Sequence, residues 1–282
     1  VTHHEMSSAG LDEPLIGPAE HGRVHVMTYN VRYAADDPGH LWEERRPVLA
    51  QLLDVERPCV IGTQEGLFGQ VADIAADLPS GYEWIGQGRE GGSHGEYAAV
   101  FFDTRRVLPR EYDHVWLSET PGVVGSTTFG NLIPRMATWV RFSDVATAGE
   151  FVVVNTHLDH ASADARRRGA AQLADLVESM RPAPVIVTGD FNAAAETSEP
   201  YLRLVAGAGL VDTWLKAAER RTPAYATFGG YAMPKVGGER IDWILTTPEV
   251  TPDVAAINPF RSEGRFPSDH VPVQALLRLP SR

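Results

Sequence analysis

The sequence predicts an α/β fold with mixed sheets, on three observations. Short apolar and β-branched runs alternate with longer segments of helical periodicity along the whole chain. Some runs follow one another with no helix between them, as in antiparallel hairpins, while others are separated by a helical crossover. No low-complexity linker and no repeat divides the chain, so residues 24–282 read as a single catalytic domain behind a flexible polar tail at 1–23.

In order, His25–Asn30 reads as a buried strand that ends on a polar group. Trp42–Leu53 has helical spacing, with Val48, Leu49, Leu52 and Leu53 apolar among charges. Cys59–Thr63 is a second buried strand, leading into Gln64-Glu65. Val71–Leu78 is helical and stops at Pro79 and Gly81. Tyr82–Ile85 and Ala98–Phe102 are strands on either side of a glycine-rich loop, Gly86–Gly95. Val107–Trp116 and Ala137–Phe142 add two more, and Phe151–Thr156 runs without interruption up to His157. Ala163–Met180 is a long helix whose basic run, Arg166-Arg167-Arg168, reads as a solvated face. Val185–Thr188 is a strand leading into Gly189-Asp190. Tyr201–Ala206 and Val211–Ala218 read as short helices, and Arg240–Leu245 and Val271–Leu277 close the chain as strands.

Composition excludes several classes. At 282 residues the chain can bury a full core. Hydrophobic residues make up 43 %, yet no apolar run approaches the ~18 residues of a membrane span, so no membrane partner is expected. A net charge of −12 argues against a dedicated binder of duplex nucleic acid, because phosphate contacts dominate that affinity. The single cysteine, Cys59, allows no intrachain disulfide and lies in an apolar run, as a buried inert thiol would. Residues 1–22 lack an apolar signal core, and His3 and His4 read as tail residues. A cytoplasmic monomer is expected.

The chemistry gathers where strands end. Asn30, Glu65, His157, Asp190 with Asn192, and Asp269 with His270 each follow an apolar run, and Asp242 lies inside one. A carboxylate there is costly unless it is paired or hydrogen-bonded. Singly, each has a structural explanation. Gly189-Asp190-Phe191-Asn192 is as often a turn or a helix cap, Asn30 a turn residue, Glu65 a solvated loop end and His157 a satisfied core histidine. Together, carboxylates, imidazoles and amides suit a divalent metal, a hydroxide and a phosphate ester.

Thr28-Tyr29-Asn30, Gln64-Glu65, Asn155-Thr156-His157-Leu158, Thr188-Gly189-Asp190-Phe191-Asn192, Arg240-Ile241-Asp242 and Ser268-Asp269-His270-Val271-Pro272 occur in this order. In this the chain resembles the endonuclease/exonuclease/phosphatase superfamily over about Val24 to Leu277. The resemblance implies a four-layer α-β-β-α sandwich of two packed mixed sheets. It implies Mg²⁺, with Mn²⁺ as a substitute, held principally by Glu65, with Asn30 holding that ligand or a metal-bound water and Asp269 assisting. It makes Asp190 the group that orients and deprotonates the attacking water, and Asn192 a hydrogen-bond partner of the phosphoryl oxygen or the nucleophile. It has His157 and His270 donate to non-bridging oxygens, and Asp242 pair with one nitrogen of His270.

Arg32 stands where abasic-site endonucleases of the superfamily carry an acid, and Asn-x-Arg resembles a bacterial branch instead, as do Trp42-Glu43-x-Arg45-Arg46 and Gly95-Glu96-Tyr97. Arg32, Arg89 and Arg135 are candidates for binding substrate phosphate, with Arg135 the first choice and structural ion pairs the alternative. Glu96 and Tyr97 line a pocket mouth or start a strand. Asp159 and His160 follow His157 closely and either face the site or, the first reading, are solvated loop residues. Trp116 stacks on a base or sugar if it faces a cleft. The leading function is a Mg²⁺-dependent phosphoesterase acting on a small or medium phosphorylated molecule. The alternatives are a nuclease on RNA or single-stranded DNA, with nucleic acid as partner, and a non-catalytic binding module on the same fold.

Overall fold

The computed structural model describes residues 13–280; His3, His4 and the start of the expected tail lie outside the described residues. In the rest of that segment, the backbone N–H groups of Leu15, Ile16 and Gly17 donate to the buried Glu56 carboxylate at 2.8, 3.1 and 3.1 Å, and Ala19 joins the core.

The strands are β1 (Arg23–Asn30), β2 (Val60–Gln64), β3 (Tyr82–Ile85), β4 (Val100–Asp103), β5 (Val107–Trp116), β6 (Met136–Asp144) and β7 (Glu150–His157). They continue as β8 (Val185–Asp190), β9 (Val211–Asp212), β10 (Glu219–Arg220), β11 (Asp242–Thr246), β12 (Thr251–Ile257) and β13 (Val273–Arg278). The helices are α1 (Trp42–Glu56), α2 (Phe68–Asp77), α3 (Ala163–Ser179), α4 (Glu199–Leu202), which runs into a π-helical turn at Arg203–Gly207, and α5 (Thr213–Lys216). Two mixed sheets form, in the orders β10-β12-β13-β1-β2-β4-β3 and β5-β6-β7-β8-β11-β9. The parallel pairs β1/β2 and β7/β8 are joined through α1 and α3, as a parallel connection requires.

Alternation along each central strand builds four layers. On β7, Phe151 and Val153 enter the core between the sheets, while Val152 and Val154 pack outward with Leu173 and Val177 of α3. On β1, Val24 and Val26 face between the sheets, and Met27 and Tyr29 meet Leu49 and Leu52 of α1. Burial on both faces explains why these strands read as continuous apolar runs. The result is the expected α-β-β-α sandwich.

One region between the sheets is polar. Gln64 donates to Thr28 Oγ1 at 3.1 Å and Asn155 Oδ1 at 2.7 Å, and Thr188 Oγ1 donates to the same Asn155 oxygen at 3.0 Å. The sheets approach so closely here that a Cβ on Gly62 would lie 2.3 Å from Thr188 Oγ1. Thr28, Asn155 and Thr188 each stand two residues before Asn30, His157 and Asp190. A period of two therefore points all three later side chains into the open end of this polar seam.

Three local expectations are corrected. Val211–Ala218 is a two-residue strand followed by a single helical turn, because Asp212 ends β9 and caps α5 by accepting from Trp214 N at 2.9 Å. The π-helical turn replaces the second half of the expected helix at Tyr201–Ala206. β12 went unread because Pro252 and Asp253 disguise it; the register shifts between Pro252 and Val254, as at a bulge. Among the described residues no helix is long and apolar enough to cross a membrane.

Candidate active site

Register assembles the centre. Asp190 ends β8 and pairs laterally with His157 of β7 on one side and Asp242 of β11 on the other. Asn30 ends β1, and Ser268 Oγ reaches across to donate to the Asn30 carbonyl at 2.7 Å, which holds the Asp269-His270 segment against the end of that strand. Arg32, Glu65 and Asn192 occupy the left-handed backbone region with φ of 54°, 65° and 48°. Such conformations are costly for residues with a Cβ and gather at functional sites.

Asn30 Nδ2 donates to Glu65 Oε1 at 2.9 Å and Asp190 Oδ2 at 3.0 Å. The same Asp190 oxygen lies 3.4 Å from His157 Nε2 and 3.7 Å from His270 Nε2. Asp190 Oδ1 accepts from the Asn192 backbone at 2.9 Å. Asp242 Oδ2 meets His270 Nδ1 at 2.9 Å, and Thr227 Oγ1 holds the backbone of Ile241 and Asp242 at 2.9 and 3.0 Å. Phe228 stands edge-on to the His270 ring, with centroids 5.1 Å apart.

Burial and neighbouring charge set the proton affinities. Burial, then the Asp242 carboxylate, push Asp190 up to about 7, against the opposing pull of His270. Burial alone would lower His270, but the Asp242 and Asp190 carboxylates override it and raise the ring to about 10. His157 goes the other way: burial, then the guanidiniums of Arg135 and Arg89, hold it well below the usual range. Their surroundings thus push the two histidines, alike in sequence, in opposite directions, His270 toward the charged form and His157 toward the neutral one. The 3.4 Å approach of His157 to Asp190 is accordingly that of a neutral imidazole. With Asn192 Nδ2 donating to Nε2 at 3.0 Å, the ring proton sits on Nδ1, 3.9 Å from Glu96.

Glu65, Asp190 and His270 each offer one atom, all within 4.8 Å of one another, so the centre can hold a metal ion. Two of the three atoms are carboxylate oxygens, the chemistry of a hard cation, and the third belongs to a ring held through Nδ1 by Asp242. Asp269 lies outside that trio. Its carboxylate and that of Glu65 flank the Arg32 guanidinium at 3.7 and 3.6 Å, longer than hydrogen bonds.

The three arginines singled out in the sequence all line one cleft of about 620 Å³, and each has a carboxylate beside it. Arg32 lies between Glu65 and Asp269. Arg89 is held bidentately by Glu96 at 2.6 and 2.9 Å. Arg135, almost wholly buried, meets His160 at 2.8 Å and lies 3.5 Å from Asp159. Asp159 is buried, not solvated as expected, because its Oδ1 accepts from Ala161 and Ser162 at the start of α3. Trp116 does not face the cleft; it is buried and donates from Nε1 to the Arg89 carbonyl at 2.7 Å.

Sequence reasoning missed Arg45 as a builder of the site. Fully buried, it donates to the carbonyls of His40, Val31, Pro267 and Arg32 at 2.7–2.9 Å and Tyr33 at 3.3 Å, tying the loop after β1 to the segment before Ser268. Its signal was the Trp42-Glu43-x-Arg45-Arg46 motif, read only as a branch feature.

Fold and site define a phosphoric ester hydrolase. A model described as "Endonuclease/Exonuclease/phosphatase family" matches residues 27–270, and the chain belongs to that family. Among solved structures, an endonuclease/exonuclease/phosphatase family protein from Bacteroides thetaiotaomicron is 32 % identical with a TM-score of 0.86, covering 91 % of this chain and 98 % of that one. A mannosyl-6-phosphatase from the same organism is 32 % identical with a TM-score of 0.85, covering 90 % and 99 %. The human Nocturnin catalytic domain, 20 % identical with a TM-score of 0.70 over 91 % and 94 %, shares the fold. No curated protein sequence matches the chain.

Proposed function

We propose that this enzyme is a Mg²⁺-dependent phosphatase of small phosphorylated molecules, working by in-line attack of water. The observation that carries the reading is Asp190, whose Oδ2 is approached by Asn30, His157 and His270 at the floor of a cleft of small-molecule size. The 32 % identity to a mannosyl-6-phosphatase supports it. So does the charge in the cleft: each of its three arginines has a carboxylate beside it, which weakens its hold on a polynucleotide backbone.

Glu65 with Asn30 and Asp269 would hold the ion, which supplies Lewis-acid stabilisation of the phosphoryl oxygens when bound. Asp190, with its proton affinity raised close to neutrality, takes the proton of the attacking water. The water oxygen bonds to phosphorus as the ester P–O bond breaks, and the departing oxygen takes a proton from solvent and leaves as the alcohol. His270, kept charged by Asp242, donates from Nε2 to a non-bridging oxygen as negative charge grows there. The neutral His157 holds the Asn192 amide, which places Asn192 for the phosphoryl group. Asp190 and His270 thus serve as base and donor because their surroundings push their proton affinities to different values.

The test is hydrolysis of p-nitrophenyl phosphate, bis-p-nitrophenyl phosphate, sugar and inositol phosphates and a labelled single-stranded oligonucleotide, in Mg²⁺, Mn²⁺ and EDTA. Metal-dependent turnover of the small monoesters, lost in His270→Ala, is expected. Preferred cleavage of the oligonucleotide, with steep loss in added salt, would replace this reading with a nuclease.

A further inference from the structure

The catalytic groups account for one end of the cleft and leave the other unexplained. There Arg135 is only 5 % exposed, yet among the described residues its Nε and Nη1 lack hydrogen-bond partners. Nη2 is the one nitrogen engaged, at 2.8 Å from His160 Nδ1, and Asp159 stays 3.5 Å from Nε. Beside it Arg89 spends both terminal nitrogens on Glu96 and leaves its own buried Nε bare. Buried N–H groups without acceptors are costly in a folded protein; the side chains that carry these three line the cleft with Glu96 and His160, so an accepting ligand that draws the guanidiniums outward would satisfy them.

Charge selects among acceptors. Two guanidiniums stand with two carboxylates, Glu96 and Asp159, so this end of the cleft is close to neutral. A second phosphate would be set against both carboxylates. A hydroxyl accepts from an N–H and donates to a carboxylate at once, matching the mixed wall. The aromatics beside this wall, Trp116 and Tyr97, are buried with their polar atoms on the carbonyls of Arg89 and Gly92 at 2.7 and 3.0 Å, and the exposed ring of the cleft, Phe228, stands at the other end beside His270. His157 separates this wall from Asp190, so a group seated here belongs to the alcohol side of an ester whose phosphorus lies at Asp190 and His270.

We infer that Arg135, Arg89, Glu96 and His160 form a leaving-group subsite for a polyhydroxylated alcohol, making the substrate a sugar or polyol monophosphate. This rests on the phosphatase reading above and narrows it.

The experiment compares hexose 6-phosphates, phenyl phosphate and fructose 1,6-bisphosphate on the full chain and on Arg135→Gln and Glu96→Gln, with circular dichroism as the check on folding. Calorimetric titration in EDTA reads affinity, and turnover in Mg²⁺ reads kcat/KM. A site built to hydrogen-bond hydroxyls rejects analogues that lack them. The wild type should therefore bind hexose 6-phosphate at least roughly tenfold tighter than phenyl phosphate. Each variant should lose kcat/KM roughly ten- to a hundredfold more on the sugar ester than on phenyl phosphate. Equal losses on the two esters would overturn the subsite, as would a wild-type preference for phenyl phosphate or the bisphosphate. If no ester is hydrolysed but the preference for the hexose ester persists in EDTA, the subsite stands and the hydrolase reading falls. If a variant does not fold, the wild-type affinity ratio decides alone.

Discussion

Asp242 Oδ2 lies 2.9 Å from His270 Nδ1, and against the ring's burial this carboxylate, with that of Asp190, raises its proton affinity to about 10. Removing the charge while keeping the shape tests it. Asp242→Asn should keep the fold and lower kcat by roughly 10²-fold or more, within the range of positioned acid–base groups. Single-turnover rates on a small monoester, beside a circular dichroism spectrum, would show this; an unaltered rate would mean that turnover does not depend on the Asp242 carboxylate.

Glu65 is the ligand assigned the largest share of the metal. Glu65→Gln should move the Mg²⁺ dependence of turnover to much higher concentration before it changes the maximal rate. Activity titrated from micromolar to tens of millimolar Mg²⁺ reads this directly. A superimposable titration curve would remove Glu65 from the metal shell.

Arg45 sits fully buried among backbone carbonyls from two separate segments. Arg45→Met keeps much of the volume but leaves those carbonyls unsatisfied, at about 1–3 kcal/mol for each that finds no water. A loss of more than about 3 kcal/mol in urea unfolding is expected, with activity falling alongside because Asn30 and His270 lose their shared support. Wild-type stability in this variant would show that water replaces the guanidinium without cost.

Gly62 stands where the two sheets come closest. Gly62→Ala would drive a methyl into Thr188 Oγ1 and Asn155 Oδ1, with ideal distances of 2.3 and 2.6 Å, so the seam beneath the site must open. Overpacking of this kind costs about 1–3 kcal/mol. Thermal melting gives the stability, and kcat/KM reports whether opening the seam spreads Asn30, His157 and Asp190 apart.

His25 is buried between Gly17 and Gln274, and burial holds its proton affinity below the ordinary histidine value despite the nearby Glu56. The unfolded chain therefore binds a proton near pH 6.5 while the native chain does not until lower pH. In that window the unfolded state holds more protons, so stability is fully present above about 6.5 and is lost as pH falls through the native value. Melting temperatures between pH 7.5 and 5 should fall less steeply for His25→Gln than for the wild type; parallel curves would exclude His25 as a source of acid sensitivity.

The sequence by itself determined the central strands, the long helix and the residues at the strand ends, because these depend on local periodicity and on residue type. Asn30, His157 and Asp190 could be found since each ends an apolar run, and runs buried on both faces are visible in one dimension. Only the tertiary structure decided what those residues are electrically. His157 and His270 look alike in the chain, but burial and the field of Arg135 and Arg89 lower one while the Asp242 and Asp190 carboxylates raise the other, and all four groups come from segments far apart in sequence. The same holds for Arg45, whose partners lie on segments more than two hundred residues apart, and for β12, where a proline and an aspartate hide a strand that long-range pairing holds in place. Burial and charge act through space, so protonation state, ion pairing and the satisfaction of buried N–H groups were settled by the packing of the two sheets and not by any local run of residues.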